Sequence, residues 1–372
     1  MSDAEKKVDE IFDEPGSKKE TKNKPDLPKG HLPKWLKTTL LIVIVLALAG
    51  FAYWLYRVNW NLDTAGTKDG GKTSECPLTG LKTTSALSQN RPVGIMIENS
   101  TDARPQSGLS NAEMVFEATA EGGITRFLAV YQCQSAVKEI GPVRSARIYY
   151  VDWAKGLDAL YAHVGGSPDG LEEIDSLNVA DLNQFVLGNY FWRTSSRVAP
   201  HNVYTTLEKL YDAAKSKNQD ITGKIDSWNY KKSKTDDLTV KVATLKVSFS
   251  SIGYNVVWTY DATKNQWLRA YANGSKSTDL NNSSQITTKN IAVAFTSIST
   301  RSDGRKDLVT TGTGDGRVYI DGKEVKATWK KKTASDMLKF YNATTGKEID
   351  FNAGNTWIEF VTSSDSVVYS GS

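Results

Sequence analysis

Side chains able to do acid–base or anion-binding chemistry gather between positions 99 and 202, mostly in short loops that carry Gly or Pro. The stretch "ENSTDARPQSG" supplies Asn99, Asp102, Arg104 and Gln106, and "FEATAEGGITR" supplies Glu117, Glu121 and Arg126 around a Gly-Gly turn. "GPVRSAR" adds Arg144, Ser145 and Arg147; "AHVGGSPD" adds His163; "VADLNQF" adds Asp181; "RVAPHNVY" adds His201 and Asn202. Guanidinium forks suit carboxylate or phosphate groups, which they hold through two parallel hydrogen bonds. Arg104, Arg126, Arg144 and Arg147 are therefore candidate anion contacts, with Asn99, Gln106, Asp181 and Asn202 as orienting polar groups. Glu117 or Glu121 with His163 or His201 would make an acid–base pair, because imidazole and buried carboxyl groups titrate near working pH.

The arginine pair of "GPVRSARIYYVDWA" is the most pointed of these features. Its spacing reads as the first turn of a helix, where acidic residues are normally favoured by the partial positive charge of free N–H groups. Two cations placed there imply an anion beside them, either a carboxylate of the chain or a ligand. The expected arrangement is one pocket shared by Arg144 and Arg147, with Glu121, His163 and His201 on its other walls. Three functions compete: binding of an anionic ligand, hydrolysis or group transfer on a glycan or phosphoester, and a structural or protein-interaction role. In the third, the polar residues are an internal network, with Glu121 paired to Arg126 or Arg144. No Gly-x-Ser-x-Gly elbow, zincin helix, kinase set or P-loop is present, and no cofactor is called for.

These residues need a scaffold. "RPVGIMIEN" and "TRFLAVYQC" have the β-branched and aromatic content of strands, and "AEMVFEA" and "DALYAHV" are shorter strand candidates. Between and after them, "GGSPDGLEEIDSL" has Ser167 as helix cap with Pro168 at the first helical position, and "YTTLEKLYDAAK" offers Thr205 and Glu208 as a capping box. The mixture predicts an α/β or α+β fold for residues 76–217. Past the polar stretch "SWNYKKSKTDD" the period becomes two, in "VATLKVSFS", "YNVVWTYD", "QWLRAYA", "NIAVAFTSI", "GRVYIDG" and "NTWIEFV". A mainly antiparallel β domain is expected over 218–372.

Cys76 and Cys133 are the only cysteines. Outside the reducing cytoplasm an even pair is a disulfide by default. On a chain-entropy model, closing such a loop stabilises by about 4 kcal/mol. Two cysteines alone leave a metal site short of ligands, so none is expected.

The remaining chain concerns location. From Thr38 to Tyr56, "TTLLIVIVLALAGFAYWLY" is uncharged and long enough to cross a bilayer core of about 30 Å. Lysines crowd its N-terminal side, which orients that side to the cytoplasm. The expectation is a disordered cytoplasmic tail (1–37), a single membrane helix (38–58), a Gly/Thr/Lys linker (59–75) and two domains outside a plasma membrane. Membrane contact is then through one helix, with an anionic envelope ligand or envelope protein as partner. The excess of 46 Lys and Arg over 42 Asp and Glu is too small to argue for nucleic acid.

Taken together, "RPVGIMIENSTDARPQSGLSNAEMVFEATAEGGITRFLAVYQ", "GPVRSAR", "HVGGS" and "PHNVY" resemble the YerB-like family of bacterial envelope proteins, and "YDATKNQWLRAYANG" and "GNTWIEFV" resemble its C-terminal β domain. The resemblance implies a two-domain extracytoplasmic protein, often lipid-anchored, with no established activity. This chain departs from that pattern in having an apolar span and no nearby cysteine.

Overall fold

The structure is a computed structural model that describes residues 72–232 and 238–372, with Thr39, Val43, Leu46, Ala47 and Gly50. In the first part of the chain the four predicted strands form: β1 (Val93–Glu98), β2 (Met114–Thr119), β3 (Thr125–Tyr131) and β4 (Leu160–His163); a further strand, β5 (Ala180–Asn183), forms where none was expected. Three helices of nine residues or more accompany them: α1 (Ile148–Gly156), α2 (Pro168–Ser176) and α3 (Leu207–Ser216). Ser167 caps α2 through the Gly170 amide, as expected. The cap of α3 is Thr206, not Thr205: the Thr206 hydroxyl accepts from Lys209 N, while Thr205 donates to the Tyr190 carbonyl.

The second part contributes β6 (Ala243–Val247), β7 (Val256–Asp261), β8 (Gln266–Tyr271), β9 (Thr287–Thr288) and β10 (Asn290–Phe295). It continues with β11 (Gly312–Ile320), β12 (Lys323–Lys331), β13 (Lys339–Asn342), β14 (Thr356–Val361) and β15 (Val367–Gly371). Both parts build one ten-stranded sheet, in the order β13-β12-β11-β10-β14-β2-β3-β1-β4-β5. The last long strand, β14, lies between β10 and β2 and runs parallel to both. The second half is mainly antiparallel as expected, with β14 as its parallel member. The smaller sheet, β9-β8-β7-β6-β15, is antiparallel throughout.

The large sheet is buried on both faces, which explains why its central strands read as near-continuous apolar runs. One face carries Ile95, Ile97, Phe127, Ala129 and Trp357 against the five-stranded sheet and α3. The other carries Met96, Phe116, Leu128 and Phe360 against α1. There Trp153 of α1 stacks on Phe360 with ring centroids 3.9 Å apart.

Cys76 and Cys133 form a disulfide, with Cα atoms 6.1 Å apart. Beside it, the buried carboxylate of Glu113 accepts from the backbone N–H groups of Gln132 and Cys133. Burial pushes this carboxyl up to about 7, while the two N–H donors pull the other way. Between the ordinary carboxylate value and pH 7 the folded chain thus holds a proton that the unfolded chain has lost, so stability falls as pH rises through that window. Glu113→Gln is expected to flatten this fall. Urea midpoints of both proteins at pH 5 and pH 8 check it, and an unchanged pH dependence would assign the effect elsewhere.

The expected membrane helix at 38–58 lies outside the described residues except for Thr39, Val43, Leu46, Ala47 and Gly50, which are helical and exposed. Among the described residues no helix is long and apolar enough to cross a membrane.

Candidate functional site

Parallel strands β1, β4 and β5 end side by side, and α/β scaffolds place their sites beyond such carboxyl ends. Here the loop after β3 runs back across the end of β1: Arg144 N donates to the Met96 carbonyl, and Val143 N to that of Val203. Gly141 makes this close approach possible, since a Cβ there would sit 2.6 Å from the Tyr204 ring. Helix α1 begins only at Ile148, and Arg147 is its extended N-cap residue. Arg144 and Arg147 are thus not in a first helical turn. They point to different partners because an extended segment does not bring residues three apart onto one face.

Arg144 reaches Glu98, the last residue of β1, with Nε 3.3 Å from Oε1. That distance is an ion pair, yet the Nε–H is not aligned as a hydrogen-bond donor, so the attraction is chiefly coulombic. The same Glu98 oxygen receives the Ser100 hydroxyl at 3.0 Å and lies 3.0 Å from His201 Nδ1. His201 Nε2 faces outward, 4.0 Å from the exposed Asp102 carboxylate. The second Glu98 oxygen is buried and has no partner among the described residues. Two more arginines sit on the loop that carries His201. Arg193 donates to Asn202 Oδ1 at 2.7 Å, and Arg197 donates to the carbonyls of Asp102 and Pro105. Arg144 remains about a quarter exposed, and its two terminal nitrogens have no protein partner among the described residues.

The other expected residues form separate groups. Arg147 grips Glu121 with two hydrogen bonds, and Arg126 lies 3.7 Å from the same carboxylate while donating to the Ser145 carbonyl. The hydrogen bond and charge of Arg147 hold the Glu121 carboxyl low against the opposing effect of burial. Fully buried His163 has Nδ1 2.7 Å from the Gly165 carbonyl and Nε2 2.8 Å from Asp181. Both ring nitrogens are engaged by acceptors, so neither is presented to a substrate. Gly165 supplies the left-handed turn (φ 58°) that presents this carbonyl.

Asn99, Arg104, Gln106 and Glu117 belong instead to a network beneath the five-stranded sheet. Glu117 is 0 % exposed and accepts both oxygens' worth of bonds from Arg269, with further bonds from Thr125 and Trp357. Asn99 Oδ1 accepts from Arg104, Gln106 and Tyr271. Arg104 lies over the Tyr271 ring at 3.6 Å. These positions join the two parts of the chain and do not line an opening with Arg144. Among the described residues, Glu121 and His163 make no hydrogen bond or ion pair with Arg144 and are paired with Arg147 and Asp181 instead.

Glu98 and Ser100 are the residues that motif reading passes over. Glu98 ends an apolar strand and looks like a boundary residue. The one available signal is its position after five buried apolar or glycine residues, where a carboxylate needs a cationic partner.

Comparison with known proteins identifies relatives for both halves. Family models described as "Protein of unknown function (DUF3048)" match in an N-terminal domain over residues 78–221 and a C-terminal domain over 245–358. The chain is 32% identical over 310 residues to a Bacillus subtilis (strain 168) protein named "Putative lipoprotein YerB", covering 79% of this chain and 88% of the relative. It is also similar to the crystal structure of YerB protein from Bacillus subtilis, at TM-score 0.73 and 31% identity over 80% of this chain and 99% of that one. The resemblance read from the motifs holds. The single-pass plasma-membrane topology does not: the relative is named a lipoprotein, and no described helix can span a bilayer. That expectation rested on apolar length and lysine asymmetry, which do not distinguish among ways of reaching a membrane.

Proposed function

The chain belongs to the DUF3048 family, and on that premise we propose that it binds an anionic component of the cell envelope at the Glu98–Arg144–His201 cluster. One observation carries the reading: Arg144 is held at its Nε by Glu98 while both terminal nitrogens stay open to solvent beside the outward face of His201. A guanidinium kept beside Glu98 by charge presents its two terminal nitrogens to an incoming oxyanion. Arg193 and Arg197 add positive charge on the neighbouring loop, so Glu98 does not neutralise the surroundings. The name of the Bacillus relative supports an envelope setting.

A charge-assisted hydrogen bond contributes about 1.5–3 kcal/mol, which is roughly 10- to 100-fold in affinity. Arg144→Ala is therefore expected to weaken binding of inorganic phosphate or an oligogalacturonate by that factor, while Ser100 and His201 still pair with Glu98 and keep the protein folded. Calorimetric titration of both ligands reads it. Equal binding by the variant would remove Arg144 from the role.

A second reading has one specific observation in its favour. His201 is oriented through Nδ1 by Glu98, leaving Nε2 outward, which is the arrangement of a general base steered by a carboxylate. Hydrolysis or transfer on an envelope glycan or phosphoester would then use His201 with Glu98, and not Glu117 or Glu121. His201→Gln would abolish turnover while leaving ligand affinity within a few-fold. Loss of affinity alone would favour binding.

A further inference from the structure

A cleft of about 1750 Å³ lies elsewhere in the molecule and shares no residue with the Arg144 cluster. That volume is larger than the few hundred to about 1,000 Å³ of ordinary small-molecule pockets. Among the described residues its walls carry six lysines and one acidic residue, Glu75, in a chain whose basic and acidic totals are nearly equal. Two of the lysines are used by the fold. Lys231 donates to Asp321 and Asn352, and Lys289 donates to the Lys264 carbonyl. The other four, Lys82, Lys224, Lys232 and Lys264, are exposed, and their ammonium groups have no protein partner among the described residues.

These four come from three distant parts of the sequence, and the walls that hold them are braced. Lys82 is on the short ribbon (Thr73–Glu75 paired with Lys82–Thr84) that the Cys76–Cys133 disulfide ties down. Lys224 and Lys232 flank a segment pinned in several places. Ser227 Oγ donates to the Pro77 carbonyl, Trp228 Nε1 to that of Leu338, and Lys231 N to that of Phe351. The Trp228 ring also stacks on Phe351 at 4.4 Å. Gly80 lets the ribbon close on this segment, because a Cβ there would lie 2.4 Å from the Tyr230 ring. Lys264 is at the turn between β7 and β8. Like charges gathered on braced walls repel one another, and a polyanion threading between them relieves that repulsion and releases its own counterions.

We propose that this cleft binds a linear polymer carrying repeated phosphate groups. Four mobile ammonium groups with no planar fork suit successive oxyanions met as point charges more than one bidentate carboxylate. The proposal is independent of the reading of Arg144.

The test titrates the full-length protein with short-chain inorganic polyphosphate at several salt concentrations. Binding is expected, weakening steeply as salt rises. The variant with Lys82, Lys224, Lys232 and Lys264 all changed to Gln should lose about tenfold or more. The same four changed to Arg should retain it. Replacing Lys246, Lys323, Lys326 and Lys347 by Gln, at exposed positions outside the cleft, should also leave binding in place, as should Arg144→Ala. Unfolding curves of the cleft variant should match the wild type, since exposed lysine substitutions change stability little. Equal binding by the cleft variant, or equal loss in the distant-lysine control, overturns the site. Equal affinity for polygalacturonate overturns the phosphate assignment.

Discussion

Replacing Arg269 by alanine is expected to cost about 3–5 kcal/mol of stability. Arg269 and Glu117 are both 0 % exposed and face each other at 2.9 Å between the two sheets. Four aromatic rings surround the guanidinium, those of Phe127, Trp258, Tyr271 and Trp357. A second buried carboxyl, Glu359, accepts from Trp258 Nε1 close by. Burial and the neighbouring Glu117 charge push Glu359 well above the usual carboxylate range, so it keeps its proton and the cation is balanced by one anion. Removing Arg269 leaves the buried Glu117 carboxylate with only Thr125 and Trp357 as donors. The loss should be larger than that of the double variant Glu117→Gln with Arg269→Met, in which no charge is stranded. Denaturant unfolding of the three proteins measures this. A single variant as stable as the double one would show that the pair is not what holds the sheets together.

A chain ending at Lys217 is expected to lose cooperative folding altogether. The boundary is attractive in the sequence, because polar residues follow and the periodicity changes. In the structure, truncation there strips β14 from β2 and opens a strand whose residues are all buried. It also takes Phe360 from the Trp153 stack and Arg269 and Trp357 from Glu117. An exposed apolar edge of this kind is a template for aggregation. Size-exclusion chromatography and near-ultraviolet dichroism would show associated material without fixed aromatic packing. A monomer with a sharp unfolding transition would mean that residues 76–217 carry a sufficient core alone.

The elements themselves were legible. Each expected strand of the first part forms within a residue or two of its apolar run, and the Ser167–Pro168 start of α2 is where cap and proline place it. The disulfide was legible too, since two cysteines admit one pairing. Errors in local reading were small and had local causes. Thr205 and Thr206 are chemically equal as caps, and only the Tyr190 carbonyl that engages Thr205 separates them. The arginines of "GPVRSAR" look helical because apolar spacing continues to Trp153, yet the loop is held extended by Met96, Val203 and Gly165, none of them local.

What the sequence by itself determined is therefore the set of elements, the cysteine pairing, the family likeness and the list of polar residues worth following. Periodicity, capping and turn chemistry act over a few residues, so they can be read along the chain. Which of those polar residues meet was decided by tertiary structure alone. Placing β14 between β10 and β2 sends Glu117 into a core with Arg269, some 150 residues away, while the return of the loop after β3 gives Glu98 to Arg144 and His201. An ion pair forms wherever folding brings opposite charges into low dielectric, and strand order, not spacing in the sequence, sets which charges those are.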